Sequence, residues 1–281
     1  MPTTGAGTAP AIARRCVSDG ADLILAAGGD GTINEVVNGM VHSGVPVGIM
    51  PGGTANVLAM EMGLGGRMEK AARLLAKCVP ERIPVGLIRN GSATGPRHFL
   101  LMAGVGLDAH IVYHINPSVK AALGKASYWL HGFAQFGRRL PEFDVTASGR
   151  RFRCSFALAS RVRNYGGDLE IAQDVSLLED HFELVLFEGR IPFTYLKYML
   201  GVLTRSLHKM RGVTILRTRE AAFDAPEDER IYIQVDGEFA GWLPSSVEIV
   251  PDALTLLTPP GFRARANRVA EEMAWTTSPT R

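Results

Sequence analysis

The pattern of apolar and polar positions changes period twice within the first ~80 residues. Residues 23–27, "LILAA", form an uninterrupted apolar run, short enough for a strand buried on both faces. Ile33, Val36, Val37 and Met40 then recur at helical spacing. The plan repeats: residues 47–50 read as a strand, "PGGTAN" as a turn and residues 57–62 as a helix, with an amphipathic helix over 69–77. Strand, glycine turn and helix, twice over, predict an α/β layer on a doubly wound parallel sheet. From about Arg82 short strand-like runs take over: "RIPVGLIRN", "RHFLLMAGVG", "EFDVTASGRRFRCSFALAS", "FELVLFEG", "GVTILRTREAAF", "RIYIQVDGEFAG", "SSVEIVP" and "ALTLLTP". They predict an antiparallel β domain, interrupted by helices over 119–139 and 193–210.

Composition narrows the function classes. With 46% hydrophobic and 21% charged residues the chain is globular, and 30 Lys plus Arg against 28 Asp plus Glu leave a net charge of +2. That balance argues against a dedicated nucleic-acid binder. Basic residues cluster at Arg138-Arg139, at Arg150, Arg151 and Arg153, and over 209–219, as solvated faces or as footing on an anionic membrane. Cys16, Cys78 and Cys154 have no metal or disulfide spacing and fit a reducing compartment. No secretory core and no uncharged run of the ~18 residues a membrane span needs is present, so a cytoplasmic protein is expected.

The candidate chemistry lies in the turns. A strand that feeds a helix through glycines brings backbone N–H groups to a helix N-terminus, so "GGDGT" and "PGGTAN" read as phosphate cradles. Thr32 and Glu35 also fit a T-x-x-E capping box. Asp30 would repel a phosphate unless a cation lies between them or the acid handles a proton; its other reading is to stabilise the turn. No Walker A or dinucleotide fingerprint is present, and "GAGTAP" at residues 5–10 lacks a preceding strand. "DGE" at 236–238, taken alone, is a hairpin turn. His110 and His114 share a helical spacing, but no third ligand supports a zinc site. The stretch 193–210 is amphipathic and reads as a core-facing helix or as a membrane-interface helix, and "SYWLHGF" as acyl-pocket lining.

"GGDGTINEVVNG" followed by "PGGTANVLA", "GVGLDAH", "YGGDLEIA", "LLEDHFELVLF" and "IQVDGE", in that order, resembles the diacylglycerol kinase catalytic-domain superfamily, which includes bacterial soluble lipid kinases and sphingosine kinases. The resemblance implies a nucleotide-binding α/β domain over 1–81, rejoined by a segment at about 253–270, and a β-sandwich lipid and metal domain over 82–252, with ATP in the cleft between. It assigns ATP phosphates to Gly28, Gly29, Asp30, Gly31, Thr32, Ile33, Asn34, Gly53 and Thr54, with Thr3 as a further nucleotide contact. Asp236 and Glu238 match the general-base site, and Asp108 would face the lipid headgroup or the ion network. Mg2+ would bind the Asp180 carboxylate and the carbonyls of Leu177 and Phe182, although His181 stands where the family has glycine and leaves Glu179 as the alternative ligand.

The implied activity is ATP- and Mg2+-dependent phosphorylation of a lipid alcohol, foremost diacylglycerol to phosphatidic acid, at the inner membrane face, by a protein with transient membrane contact and with a homodimer left open. Two rivals stand beside it. One is an NAD kinase-like enzyme using the same glycine turn. The other is a non-catalytic nucleotide- or lipid-binding remnant, motivated by the absence here of the family's first strand and its "NP..G" loop.

Overall fold

The computed structural model of the chain describes residues 1–90, 95–114, 139–165 and 169–266. The helix expected over 119–139, with "SYWLHGF" in it, lies outside these except at its last residue.

The chain opens with α1 (Ala9–Ser18), β1 (Ile24–Gly28), α2 (Asp30–Met40), β2 (Val47–Pro51), α3 (Val57–Glu61) and α4 (Met68–Leu75). Strands β1 and β2 pair in parallel, Ile24 opposite Val47 through Gly28 opposite Pro51. The apolar stripe of α2 is buried, Val37 and Met40 completely. Strand β1 is not buried on both faces: Ala26 is enclosed while Leu25 is 46% exposed. It is the outer strand of its sheet, so its burial alternates. Helix α1 was not anticipated by the apolar pattern; Ala9 and Ala13 are its buried residues. It crosses α2 closely because position 39 is glycine: a Cβ there would lie 2.8 Å from the Ala13 Cβ and would strike the Pro10 carbonyl.

The remainder runs β3 (Val79–Asn90), β4 (Arg97–Phe99), β5 (Met102–Gly106), α5 (Leu107–His114), β6 (Phe143–Ala147), β7 (Arg150–Cys154), β8 (Phe156–Ser160), β9 (Asn164–Tyr165), β10 (Leu169–Glu170) and β11 (Phe182–Phe187). It ends with α6 (Pro192–Leu203), β12 (Val213–Thr218), β13 (Glu220–Asp224), β14 (Tyr232–Val235), β15 (Glu238–Trp242) and β16 (Ser245–Thr258). "SSVEIVP" and "ALTLLTP" are one strand. β16 lies antiparallel to β3 along its length, with an irregularity between Val250 and Leu254. Its first half pairs with β13 and its second half meets β2 in parallel at Leu256 and Val47. The expected division at 81/82 and 252/253 falls on this ladder, next to the pair Ile83–Leu254.

The resulting sheet, in the order β1-β2-β16-β13-β6-β7 with β3 and β4 attached, faces a second sheet ordered β12-β11-β8-β5-β14-β15. Phe99, Val105, Phe143, Phe182, Phe223 and Ile233 fill the space between them. The architecture is an α/β layer joined to a β-sandwich. Helix α6 stops at Leu203, short of the expected 210, because Thr204 turns its hydroxyl onto the Leu200 carbonyl and Arg205 takes a left-handed conformation (φ 54). A single 3-10 turn, Leu207–Lys209, follows.

The close crossing of α1 and α2 makes a prediction. Gly39→Ala should destabilise the fold by about 1–3 kcal/mol, read as a lower denaturant midpoint at unchanged slope; an unaltered midpoint would show that α1 adjusts freely.

Candidate active site

The two glycine turns abut. The amide of Gly52 donates to the Gly28 carbonyl at 2.8 Å, and a Cβ on Gly53 would fall 2.5 Å from the Gly29 Cα. Only glycine lets the two backbones approach this closely. Helix α2 starts at Asp30, with Gly29 as N-cap and no side-chain cap, so its first amides are not used by a capping side chain. The capping box expected at Thr32 and Glu35 is therefore not formed: the helix begins two residues before Thr32, and Glu35 belongs to a different end. Its carboxylate accepts from Gly7 N at 2.7 Å and Ala9 N at 3.2 Å, at the start of α1. Asp30 likewise accepts from Val57 N at 3.0 Å and Leu58 N at 3.2 Å, at the start of α3. Each acid of the motif caps a neighbouring helix, where a negative charge is favoured.

Ile33 is core. Thr32 is part-exposed, Thr54 exposed, and Thr3 lies exposed in the irregular segment ahead of α1. Asn34 is buried and at the centre of the site. Its amide donates to Asp236 Oδ2 at 2.7 Å and to the His98 carbonyl at 2.9 Å. Its oxygen accepts from Arg97 Nε at 3.1 Å and Nη2 at 2.9 Å, and the same Nη2 reaches Glu238 Oε2 at 2.8 Å. Glu238 Oε1 faces Gly31, whose missing Cβ leaves the room it occupies.

Both readings of "DGE" hold together. Asp236 and Gly237 form the two-residue link between β14 and β15, each with positive φ (49 and 82), as a tight hairpin requires. That turn points the Asp236 carboxylate inward, where it accepts from the amides of Leu100, Leu101 and Met102, each at 2.9 Å. Burial pushes its pKa up, while these amides and Asn34 pull the other way. Glu238, the first residue of β15, keeps a side chain 42% exposed. The hairpin thus carries one enclosed and one open carboxylate.

Within the loop "LLEDHF", the Leu177 carbonyl accepts from Arg161 Nη2 at 3.0 Å, and Asp180 lies 3.7 Å from Arg219. Glu179 pairs with His181 at 3.2 Å, and Phe182 opens β11 opposite Thr218. Asp108 falls in the first turn of α5, and its side chain, like that of His114, lies outside the described residues. Among the described residues no group of three His, Cys, Asp or Glu is placed to hold a metal ion. Arg97 and Arg161 were missed: each stands in a strand-like or irregular segment, outside every motif that carries the resemblance. Asn38, which brackets His98 through its amide and its oxygen, could have been found from its position one turn beyond Asn34.

An α/β layer and a β-sandwich thus share the long strand β16, and the open carboxylate of Glu238 faces the first glycine turn. Residues 1–88 match the diacylglycerol kinase catalytic domain, and residues 102–258 the YegS C-terminal NAD kinase beta sandwich-like domain. A diacylglycerol kinase of Bacillus subtilis is 30% identical over 250 residues, covering 86% of this chain and 79% of that protein. One from Staphylococcus haemolyticus is 23% identical over 258 residues, covering 90% and 76%. The crystal structure of a diacylglycerol kinase from Bacillus anthracis superposes with a TM-score of 0.74 at 21% identity, over 93% of this chain and 85% of that one. This chain belongs to the diacylglycerol kinase catalytic-domain family, and at that level it is a lipid kinase, a phosphotransferase.

Behind the loop, Glu183 is buried and accepts from the amides of Gln173 and Asp174. Burial raises its pKa from 4.5 to about 7. A carboxyl that holds its proton more tightly when folded contributes stability fully present below the unfolded pKa and lost as pH rises through the folded one. Relative to the native chain, Glu183→Gln should therefore gain melting temperature as pH rises from 4.5 to about 7 and level off above that. A difference independent of pH would show that Glu183 is ionised throughout.

Proposed function

We propose that the chain transfers the γ-phosphoryl group of ATP to the hydroxyl of a lipid alcohol, diacylglycerol, forming phosphatidic acid. The observation that carries this reading is the Glu238 carboxylate facing Gly31 in the first turn of a helix that lacks a side-chain cap. The phosphates would lie against the amides of residues 30–32, which the glycine turns leave open to close approach. Their Mg2+ would supply charge neutralisation to the transferring group.

The residues divide the remaining work. Glu238 Oε1 takes the proton of the lipid hydroxyl as that oxygen attacks in line. Arg97 holds Oε2 and so fixes which oxygen faces the reaction. Asp236, with both oxygens occupied by donors, positions the hairpin and Asn34. Positioning and charge placement are the chief demands of phosphoryl transfer.

The lipid reading has a second support. Helix α6 leaves Leu196, Leu200 and Leu203 exposed, with Ile191 just before it. Between Ile191 and Arg211 there is no acidic residue, while Lys197, Arg205, Lys209 and Arg211 line the stretch. An apolar stripe bordered by cations suits the surface of an anionic leaflet, here the cytoplasmic one. No helix among the described residues is long and apolar enough to cross a membrane.

Label transfer from ATP to a panel of lipids in mixed micelles tests the proposal, with phosphatidic acid as the expected product. Glu238→Gln should lower kcat by roughly 10²–10⁴-fold while ATP binding is retained. Phosphorylation of NAD instead would overturn the lipid assignment, and ATP binding with no product from any lipid would indicate a binding protein. Leu200→Glu together with Leu203→Glu should reduce co-sedimentation with phosphatidylglycerol vesicles; unchanged sedimentation would remove α6 from the membrane contact.

A further inference from the structure

The loop that the resemblance assigns to a divalent ion is a poor fit for one in this chain. A magnesium site needs several oxygens converging on a single point. Here the Leu177 carbonyl faces a guanidinium and Asp180 is drawn toward Arg219, while Phe182 opens β11 opposite Thr218. The cation already present is Arg161. It is fully buried, donates from Nη2 to Leu177 O at 3.0 Å and from Nη1 to Leu100 O at 3.3 Å, and its own amide reaches Leu101 O at 2.8 Å. Its Nε has no partner in the described structure.

The contact with Leu100 leads directly to the active-site hairpin. The peptide unit whose carbonyl accepts from Arg161 is the one whose N–H, on Leu101, donates to Asp236 Oδ1. The guanidinium, the peptide dipole and the carboxylate are thus aligned in series, and each link polarises the next in a low-dielectric interior. Burial lowers the Arg161 pKa to about 10, with Asp236 and Asp180 opposing the shift, so the group is charged at neutral pH.

We propose that the Arg161 guanidinium takes the place of the loop's divalent ion, tying the Leu177 carbonyl to the Leu100–Leu101 peptide that holds Asp236 and thereby setting the hairpin that carries Glu238. Arg161 is a positioning residue: with no exposed surface it acts on the reaction through the hairpin alone.

Two measurements on the full chain test this, the first independent of activity. Thermal unfolding of the nucleotide-free protein should show no saturable rise in Tm with MgCl2, in the native chain and in Asp180→Asn alike. A saturable rise that Asp180→Asn abolishes would overturn the proposal, whether or not the chain proves to be a lipid kinase. The second compares Arg161→Lys, which keeps the charge, with Arg161→Met, which keeps much of the volume. Lys should recover kcat over Met by about tenfold or more, equivalent to ~1.4 kcal/mol, at equal KM for ATP. Equal kcat in the two variants would reduce Arg161 to a space-filling role and overturn the cation reading. Should neither variant fold, the magnesium titration of the native chain decides alone.

Discussion

The candidate active site depends on how one buried carboxylate is satisfied. Taking a carboxylate out of water costs several kcal/mol unless donors replace the solvent. Asp236 has four: the amides of Leu100, Leu101 and Met102, and the side-chain amide of Asn34. Those donors come from separate places in the chain. The three amides lie on the segment from β4 into β5, Asn34 lies on α2, and Asp236 itself sits at the tip of the β14–β15 hairpin. Satisfying this charge therefore fixes the helix behind the glycine turn against the sandwich. It also places Glu238 opposite Gly31.

The same logic recurs at the other acids of the glycine motif. Asp30 and Glu35 lie within two turns of one helix, yet neither carboxylate serves that helix. Asp30 completes the start of α3 and Glu35 the start of α1, each accepting two backbone amides. Helix starts carry unpaired amides and partial positive charge, and an acid from an adjacent helix meets both needs. The consequence for α2 is that its own start remains uncapped by any side chain. The motif thus closes two neighbouring helices and leaves open the end that faces Glu238.

A buried arginine beneath the nest that holds Asp236 extends this arrangement into the sandwich. A cation with no exposed surface survives only where carbonyls and anions surround it. Arg161 has two carbonyls, with Asp236 and Asp180 near enough to favour its charge. The charged side chains gathered here, Arg97, Arg161, Asp236 and Glu238, are drawn from β4, the segment after β8 and the hairpin.

The sequence alone determined the class of the fold and the identity of the turns. Period-2 and period-3.6 patterns are local consequences of backbone geometry, so the strand–turn–helix pairs, the β domain and the Asp-Gly hairpin could be read directly. The glycines at 29 and 53 were legible because close backbone approach demands them, whereas the room that Gly31 leaves for the Glu238 side chain was not. Partner choice among charged groups was not legible. Whether Glu35 caps its own helix or α1, whether Leu177 faces a metal or Arg161, and which of Asp236 and Glu238 is open depend on residues up to two hundred positions apart. Arg97 carries no local signal for the same reason. A side chain's role there is decided by desolvation and by whatever donor lies within hydrogen-bond reach, and only the packed tertiary structure specifies either.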